Sequence, residues 1–544
     1  MSRNALGGLW RRQWAVLALG AAGYALLYAL GSQIDMRGYT QAQETLGRFA
    51  LALPVAFLAL LGAFEWAIAR LSAKGAQAGA AKPFCTPGAM ALIFLCYVPM
   101  LLIEFPGSFT YDTKTQVLQI ANRQYDAFHP LLHTLLMKFC LLDCYGVLQS
   151  IERGALLYSL IQMTLVSACF ALICASLSRS CSRRAARIAA AFFCLFPYHM
   201  AFASNCTKDV LFSASFALMV TLALEKLRTG RLGRLHMALY VLSGALACLL
   251  RNNMIYAVAA WLVLLLMGRE TRRGLLAASV AVAVLALCAN EALITLTHAG
   301  RGNIREMLSV PAQQLARAYR DAPQAFTEAD MEDLDWLIEK NAYVHYDPTL
   351  ADFVKNNVNT QGVQEDPARA LRLWLSVGLR QPGIYLDAFL NTALPFLYPY
   401  GTYHGTARYI ETGMPDNGLT SPFGQPDLVQ PRRFASIRAF LDEHIFSTGA
   451  DGIPVLRWVF NAGLVIWLML LCVLHAMYRG DWAHVCVLML PVLLWGTYLL
   501  GPVMQGRYLY PFVCILPALC AGLGARTALE EGLSYTRGGM EHGV

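Results

Sequence analysis

Four basic residues stand where apolar blocks end: Lys114 in YDTKTQ, Lys208 in NCTKD, Arg251 in LLRNN and Arg507 in MQGRYLYP. A single side chain of this kind is ordinarily an anchor that snorkels to a lipid headgroup. Cations drawn from distant parts of the chain to one depth are what a lipid-linked phosphate requires, because N–H donors grip its oxygens. Beside the first stands Asp112, in PGSFTYDTKTQ. Its carboxylate could take a hydroxyl proton as a general base or, more plainly, cap a helix beginning near Thr113. His129 precedes Pro130, which biases it toward extended backbone, and His133 follows four residues on. Both would point one way if a helix begins at Pro130. That spacing can hold zinc, but no HExxH-type glutamate accompanies it, so no metal site is expected from the pair. Asp209 directly follows Lys208 and is placed to pair with it.

The elements that must position these residues are membrane helices. The chain is 57% hydrophobic and 14% charged, with a mean hydropathy of +0.46. Soluble domains carry about 25% charged residues, so an ordinary globular surface is excluded. Apolar blocks long enough for the roughly 20 residues of a membrane helix recur from Trp14 to Leu516. Backbone in lipid must satisfy its own hydrogen bonds, and no period-two pattern suggests barrel strands, so the blocks read as helices. The net charge of +8 lies in short clusters between blocks, which speaks for loops on the cytoplasmic side and against nucleic acid as a partner. The 15 cysteines fall mostly inside apolar blocks, none forms a CxxC pair and none lies in 298–455, so neither a disulfide framework nor a zinc site is indicated. Arg11 and Arg12 lead into a block too long for a signal peptide and lacking a cleavage site, which reads as a first membrane helix.

Twelve spans are expected, at 14–31, 48–68, 88–105, 155–177, 187–204, 209–226, 236–250, 254–268, 274–297, 456–477, 484–501 and 508–526. The block 131–149 is read as an interfacial helix that does not cross. If it crossed, the clusters Arg179/Arg183/Arg184, Lys226/Arg228/Arg231/Arg234 and Arg269/Arg272/Arg273 would face outside, against the positive-inside rule. The expected protein is thus an all-α polytopic membrane protein with both termini cytoplasmic. Its parts are two accessory N-terminal helices (1–87), a core (88–297) holding a first outer loop at 104–154, an extracytoplasmic domain (298–455), and C-terminal helices with a tail (456–544). Helical pieces are expected in that domain at 304–320, 328–341 and 366–380, with a turn-rich stretch MPDNGLTSPFGQPD after them.

Phosphate loops and the GxSxG elbow are absent, which leaves ATP hydrolysis and serine-esterase chemistry without support. Six short motifs occur in order: PGSFTYDTKTQ (Pro106–Gln116), HPLLHT (His129–Thr134), TKDVLF (Thr207–Phe212), RNN (Arg251–Asn253), VPAQQLAR (Val310–Arg317) and GRYLYP (Gly506–Pro511). With the acidic first outer loop and the late outer domain, they resemble the polyprenyl-phosphate-dependent glycosyltransferases of the C superfamily, in particular an uncharacterised bacterial branch. The resemblance leaves out the two spans before residue 88.

The resemblance implies a multi-pass protein of a bacterial plasma membrane that moves a sugar from a polyprenyl-phosphate donor to an acceptor hydroxyl on a glycan, lipid or protein, with inversion. Asp112 would be the base, and Lys208, Arg251, Arg507 and His129 would hold the donor phosphate. Lys114, Gln116, His133, Asp209, Asn252, Gln313, Gln314 and Tyr508 would contact substrate. No motif demands a cofactor. Relatives often carry two adjacent acids where this chain has only Asp112, which leaves a magnesium or manganese requirement open. A transporter or flippase of lipid-linked saccharides is the rival from another class, but Glu65 and Glu291 are the only acids clear of span ends and no repeat is visible. A polymerase or ligase using the same lipids is the second alternative.

Overall fold

The computed structural model describes residues 3–71, 84–267, 273–302, 304–400, 430–446 and 453–523. Arg269, Arg272, the stretch 414–427 and the tail after 523 lie outside the described residues. The chain opens with α1 (Arg3–Arg37), α2 (Ala42–Leu71) and α3 (Thr86–Ile103). The first loop holds α4 (Tyr111–Asn122), α5 (Leu131–Lys138) and α6 (Tyr145–Leu148). Next come α7 (Ile151–Ser180), α8 (Arg183–Leu195), α9 (Pro197–Ala203), α10 (Lys208–Thr229), α11 (Arg234–Leu250), α12 (Met254–Leu266) and α13 (Arg273–Thr297). A helical domain follows with α14 (Ser309–Asp321), α15 (Glu328–Leu337), α16 (Lys340–Val344), α17 (Asp352–Asn356), α18 (Thr360–Glu365), α19 (Pro367–Arg380) and α20 (Pro382–Leu397). The last helices are α21 (Ala435–His444), α22 (Pro454–Val459), α23 (Ala462–Arg479), α24 (Trp482–Leu499) and α25 (Gly506–Gly522).

Among the described residues, nine helices are long and apolar enough to cross a membrane, so the chain is an all-α polytopic membrane protein. Eight of the nine coincide with expected spans. The expected span 187–204 is instead a pair, α8 and α9, bent by 57°. The break lies at Phe196–Pro197, where proline forces the preceding residue into extended backbone. The spans expected at 236–250, 254–268 and 508–526 are shorter apolar helices. The ninth long segment is Leu131–Leu148, which folds back along the start of α7. His133 meets Tyr158, and the Cys140 carbonyl lies 2.6 Å from where a Cβ on Gly154 would stand. The segment therefore runs beside only the first two turns of α7, a rise of about 10 Å.

At the centre stands α10, whose residues from Asp209 to Leu224 are all buried among α7, α11, α24 and α25. The helical domain has its own core, built on Leu315, Leu334, Tyr343, Val354, Leu373 and Val377. The domain rests on one face of the bundle, and hydrogen bonds from three parts of it fasten it there beside the packing of α20 on α1 and α23. Gly38, in the α1–α2 turn, accepts from Arg317 at 2.5 Å and from Asn391 at 2.8 Å. Ala351 N–H donates to Pro502 in the α24–α25 turn at 2.8 Å. Gly300 exchanges backbone hydrogen bonds of 2.9 Å with Tyr125 and Ala127 in the first loop. At the opposite face Arg179 grips Glu225 with two hydrogen bonds of 2.7 and 2.9 Å.

Candidate functional site

The loop after α3 turns at Gly107, whose φ of +136° a side chain would strain. It then lays strand β1 (Ser108–Phe109) parallel to β2 (Asn205–Cys206), which immediately precedes α10. Thr113 Oγ1 donates to the Cys206 carbonyl at 2.7 Å and lies 3.1 Å from Thr110 Oγ1, so the first turn of α4 is fastened to the start of α10. Asp112 does not cap this helix: Thr110 is the N-cap residue, and Asp112 is the second residue of the helix, with its side chain turned to the neighbouring cations. Its position in the first turn also suits the positive end of the helix dipole.

Two carboxylates and three cations converge here. Asp112 Oδ2 accepts from Lys208 Nζ at 2.8 Å and from Arg507 Nη1 at 2.9 Å. Asp209 Oδ1 accepts from Arg251 Nη1, and its Oδ2 lies 3.9 Å from Arg507 Nε. The expected Lys208–Asp209 pair does not form, because successive residues of a helix project about 100° apart. Arg251 also lies over the rings of Tyr508 and Tyr498, at 4.3 and 4.7 Å from their centres, and the rings stack on each other 5.5 Å apart. Gln505 Oε1 accepts from Arg507 Nε at 2.5 Å, and Asn253 Oδ1 accepts from Arg251 Nε at 3.2 Å. Among the described residues the three cations outnumber the two carboxylates by one positive charge, so the cluster is electrically suited to an anion.

The two acids differ in reach. Asp209 is 1% exposed and locked to Arg251, whereas the Asp112 side chain is 22% exposed. Burial alone would raise the Asp112 carboxyl, but the Lys208 charge and then that of Arg507 outweigh it and hold the group well below the usual carboxylate range. His129, nearly buried, places Nδ1 3.2 Å from Lys208 Nζ. Burial, and after it the Lys208 charge, bring its imidazole down to about 4, so it is neutral at pH 7 and accepts from the lysine.

Other expected site residues are placed differently. His133 does not join His129: the helix begins at Leu131, and the His133 ring lies 3.0 Å from Gln116 Oε1 and 2.8 Å from Tyr158 Oη. Gln116 in turn donates to Thr134 at 2.8 Å, and Tyr158 donates to Gln162 at 2.8 Å. Gln162 closes the chain on the Asn205 carbonyl at 2.7 Å. This buried network braces α4, α5 and α7 against β2 rather than contacting the ion cluster. Asn252 donates to the carbonyls of Ala127 and Phe128 at 3.1 and 3.4 Å, which seats the segment leading to His129. Gln313 and Gln314 bond to the Asp347 and Tyr385 carbonyls inside the helical domain, at 2.7 and 3.2 Å. They are core residues there, because α14 buries that face. Lys114, on α4, makes no hydrogen bond or ion pair with the cluster among the described residues.

Sequence reasoning missed Tyr498, Gln505, Tyr158 and Gln162. A signal existed for Gln162, since an uncharged but strongly polar side chain inside an apolar block must find partners. The donor set does not suit a divalent cation. Asp112 Oδ2 already carries two cationic donors, Asp209 is taken by Arg251, and an added cation would meet three basic side chains. Among the described residues no group of three or more His, Cys, Asp and Glu side chains is gathered to hold a metal ion.

No curated protein and no solved structure matches the chain. One family model matches residues 124–531, a span that begins after Asp112 and takes in His129, Lys208, Asp209, Arg251 and Arg507. Because that match covers most of the sequence, the chain belongs to DUF6020, a family of unknown function.

Proposed function

We propose that the protein is a glycosyltransferase that moves a sugar from a polyprenyl-phosphate donor to an acceptor hydroxyl at the outer face of a bacterial plasma membrane, with inversion. The observation that carries this reading is the gathering of Lys208, Arg251 and Arg507 around a reachable Asp112, with one positive charge in excess among the described residues. The cluster lies at the membrane boundary where the helical domain rests, which suits a donor whose phosphate sits at headgroup depth while its prenyl chain stays in lipid. In this reading twelve helices cross, the termini are cytoplasmic, and the 131–148 segment lies at the outer interface, as its short rise along α7 favours.

The ion pairs suggest how the two roles are coupled. In the free protein Lys208 and Arg507 hold Asp112 ionised and therefore weakly basic. A donor phosphate draws these cations toward its own oxygens, and the carboxylate loses the charges that depress it. Its basicity then rises when substrate is bound. The acceptor oxygen attacks the anomeric carbon and passes its proton to Asp112. The carbon–oxygen bond to phosphate breaks, and the polyprenyl phosphate leaves with the electron pair. Lys208, Arg251 and Arg507 stabilise the charge that grows on the leaving oxygen. Positioned proton transfer of this kind contributes about 10²–10⁴ in rate. His129, neutral and bonded to Lys208, orients the ammonium.

The test is purified full-length protein in nanodiscs with polyprenyl-phosphate sugars labelled in the sugar. Release of the polyprenyl phosphate together with label on an acceptor supports the reading. Label carried intact to the other face of a proteoliposome, with the donor unbroken, favours a flippase instead.

A further inference from the structure

At the face opposite the Asp112 cluster, a second polar site lies between the ends of α10, α23, α24 and α25. Lys208 and Arg228 stand at the two ends of α10, about 30 Å apart, so the two sites are separate. The second site is a partly open recess of ≈ 350 Å³ including its mouth, lined by leucines and by Arg228, His475, Arg479, Asp481 and His484. Three of its polar atoms are buried with no hydrogen-bond partner among the described residues: Nε of Arg228, Nε2 of His475 and Nε2 of His484. All three residues are more than nine-tenths buried. Buried polar atoms without partners are uncommon, and each costs free energy until something binds it.

The charges decide what that something is. Arg228 gives its two terminal nitrogens to the Cys181 sulfur at 3.0 Å and the Ala518 carbonyl at 3.2 Å, neither of them a carboxylate. The nearest acid on its own helix, Glu225, is engaged by Arg179 on both oxygens. Asp481 lies 2.6 Å from His484 Nδ1 and accepts from the His484 N–H at 3.1 Å, so it is taken as well. Arg12 of α1 adds a further guanidinium beside Gly480, in space that the missing side chain leaves. The Asp481 carboxylate fixes the His484 ring and leaves its Nε2 available, as a partner carboxylate does for a ligating imidazole. A cation would meet these guanidinium groups, whereas a hydrogenphosphate offers oxygens to Arg228 and an O–H to an imidazole lone pair.

We propose that this recess binds a phosphate oxyanion, as a lipid headgroup of that face or as free phosphate, through Arg228, His475 and His484. The inference is independent of the transferase reading. The test measures binding of radiolabelled inorganic phosphate to full-length protein in phosphatidylcholine nanodiscs, where both faces are open. Wild type should show a class of sites that Arg228→Gln weakens at least tenfold and that Arg507→Lys leaves unchanged. His475→Asn, which leaves the Arg228 hydrogen bonds in place, should weaken the same class at an unaltered melting temperature. Repeating the titration in nanodiscs containing phosphatidic acid, a phosphomonoester that keeps the P–OH, separates the sources: loss of this class there identifies a lipid headgroup, and its persistence identifies free phosphate. If all phosphate binding responds to Arg507→Lys and none to Arg228→Gln or His475→Asn, the recess is not an anion site, and the outer cluster is unaffected by that result. Absence of any Arg507-dependent class, with the Arg228-dependent class intact, would instead tell against the transferase reading.

Discussion

Asp112 and Lys208 are 96 positions apart in the chain and 2.8 Å apart in space, joined because a two-residue parallel pairing sets the start of α4 against the start of α10. Arg507, almost 300 positions further on, reaches the same carboxylate oxygen at 2.9 Å. The pairing makes Asp112 both the partner of two cations and the more exposed of the two acids, and that dual status is what the following tests address.

Asp112→Asn should leave the protein folded and abolish transfer. The amide keeps the shape of the carboxylate and can still accept from Lys208, but it cannot take a proton, so a loss of at least about a hundredfold in kcat is expected. Steady-state transfer assays beside a melting curve check this. Turnover within a few-fold of wild type would remove Asp112 from the mechanism.

Arg251→Lys and Arg507→Lys should each lower kcat/KM by roughly ten- to a hundredfold, since a hydrogen bond to a charged group contributes about 1.5–3 kcal/mol. Lysine keeps the charge that Asp209 needs but loses the planar fork and, at 251, the stacking on Tyr498 and Tyr508. If both residues serve one phosphate, the double variant should cost less than the two singles together. Wild-type rates in both singles would mark these arginines as anchors.

Stability should fall as pH drops from about 6.5 toward 4, and His129 should account for part of the loss. Its imidazole is held down to about 4 by burial and by Lys208, with Asp112 opposing and Arg507 adding to the effect. In that window the unfolded chain binds a proton that the folded one does not, so protonation favours unfolding. The contribution is on the order of 1–3 kcal/mol. Melting temperatures of wild type and His129→Gln across the window decide it: the variant should show the shallower dependence, and parallel curves would refute the assignment.

Cysteine labelling in a background without the 15 native cysteines should find position 335 open to an impermeant reagent in intact cells and position 231 open only after permeabilisation. Both residues are exposed, Asp335 on the helical domain and Arg231 at the opposite face. The reverse pattern would place the helical domain in the cytoplasm.

The class of protein is legible in the chain, because burial of apolar side chains in lipid depends on composition and run length, which are local properties. Eight long membrane helices fall where the apolar blocks lie, and the helical pieces of the domain at 304–320, 328–341 and 366–380 are matched by α14, α15 with α16, and α19. Breaks such as Phe196–Pro197 were weaker in the pattern, since hydropathy continues across a bend. The cations Lys208, Arg251 and Arg507 were legible as charges at block ends. Which carboxylate each meets is not: adjacency in the chain pairs Asp209 with Lys208, whereas its partner is Arg251. Gln313 and Gln314 read as substrate contacts from their motif and proved to be bonded inside the domain, while Tyr498 and Gln505 gave no signal at all. Ion pairing and aromatic stacking depend on distances of a few ångströms between segments brought together only by helix packing. No spacing along the chain encodes those distances, so the tertiary structure alone decided them.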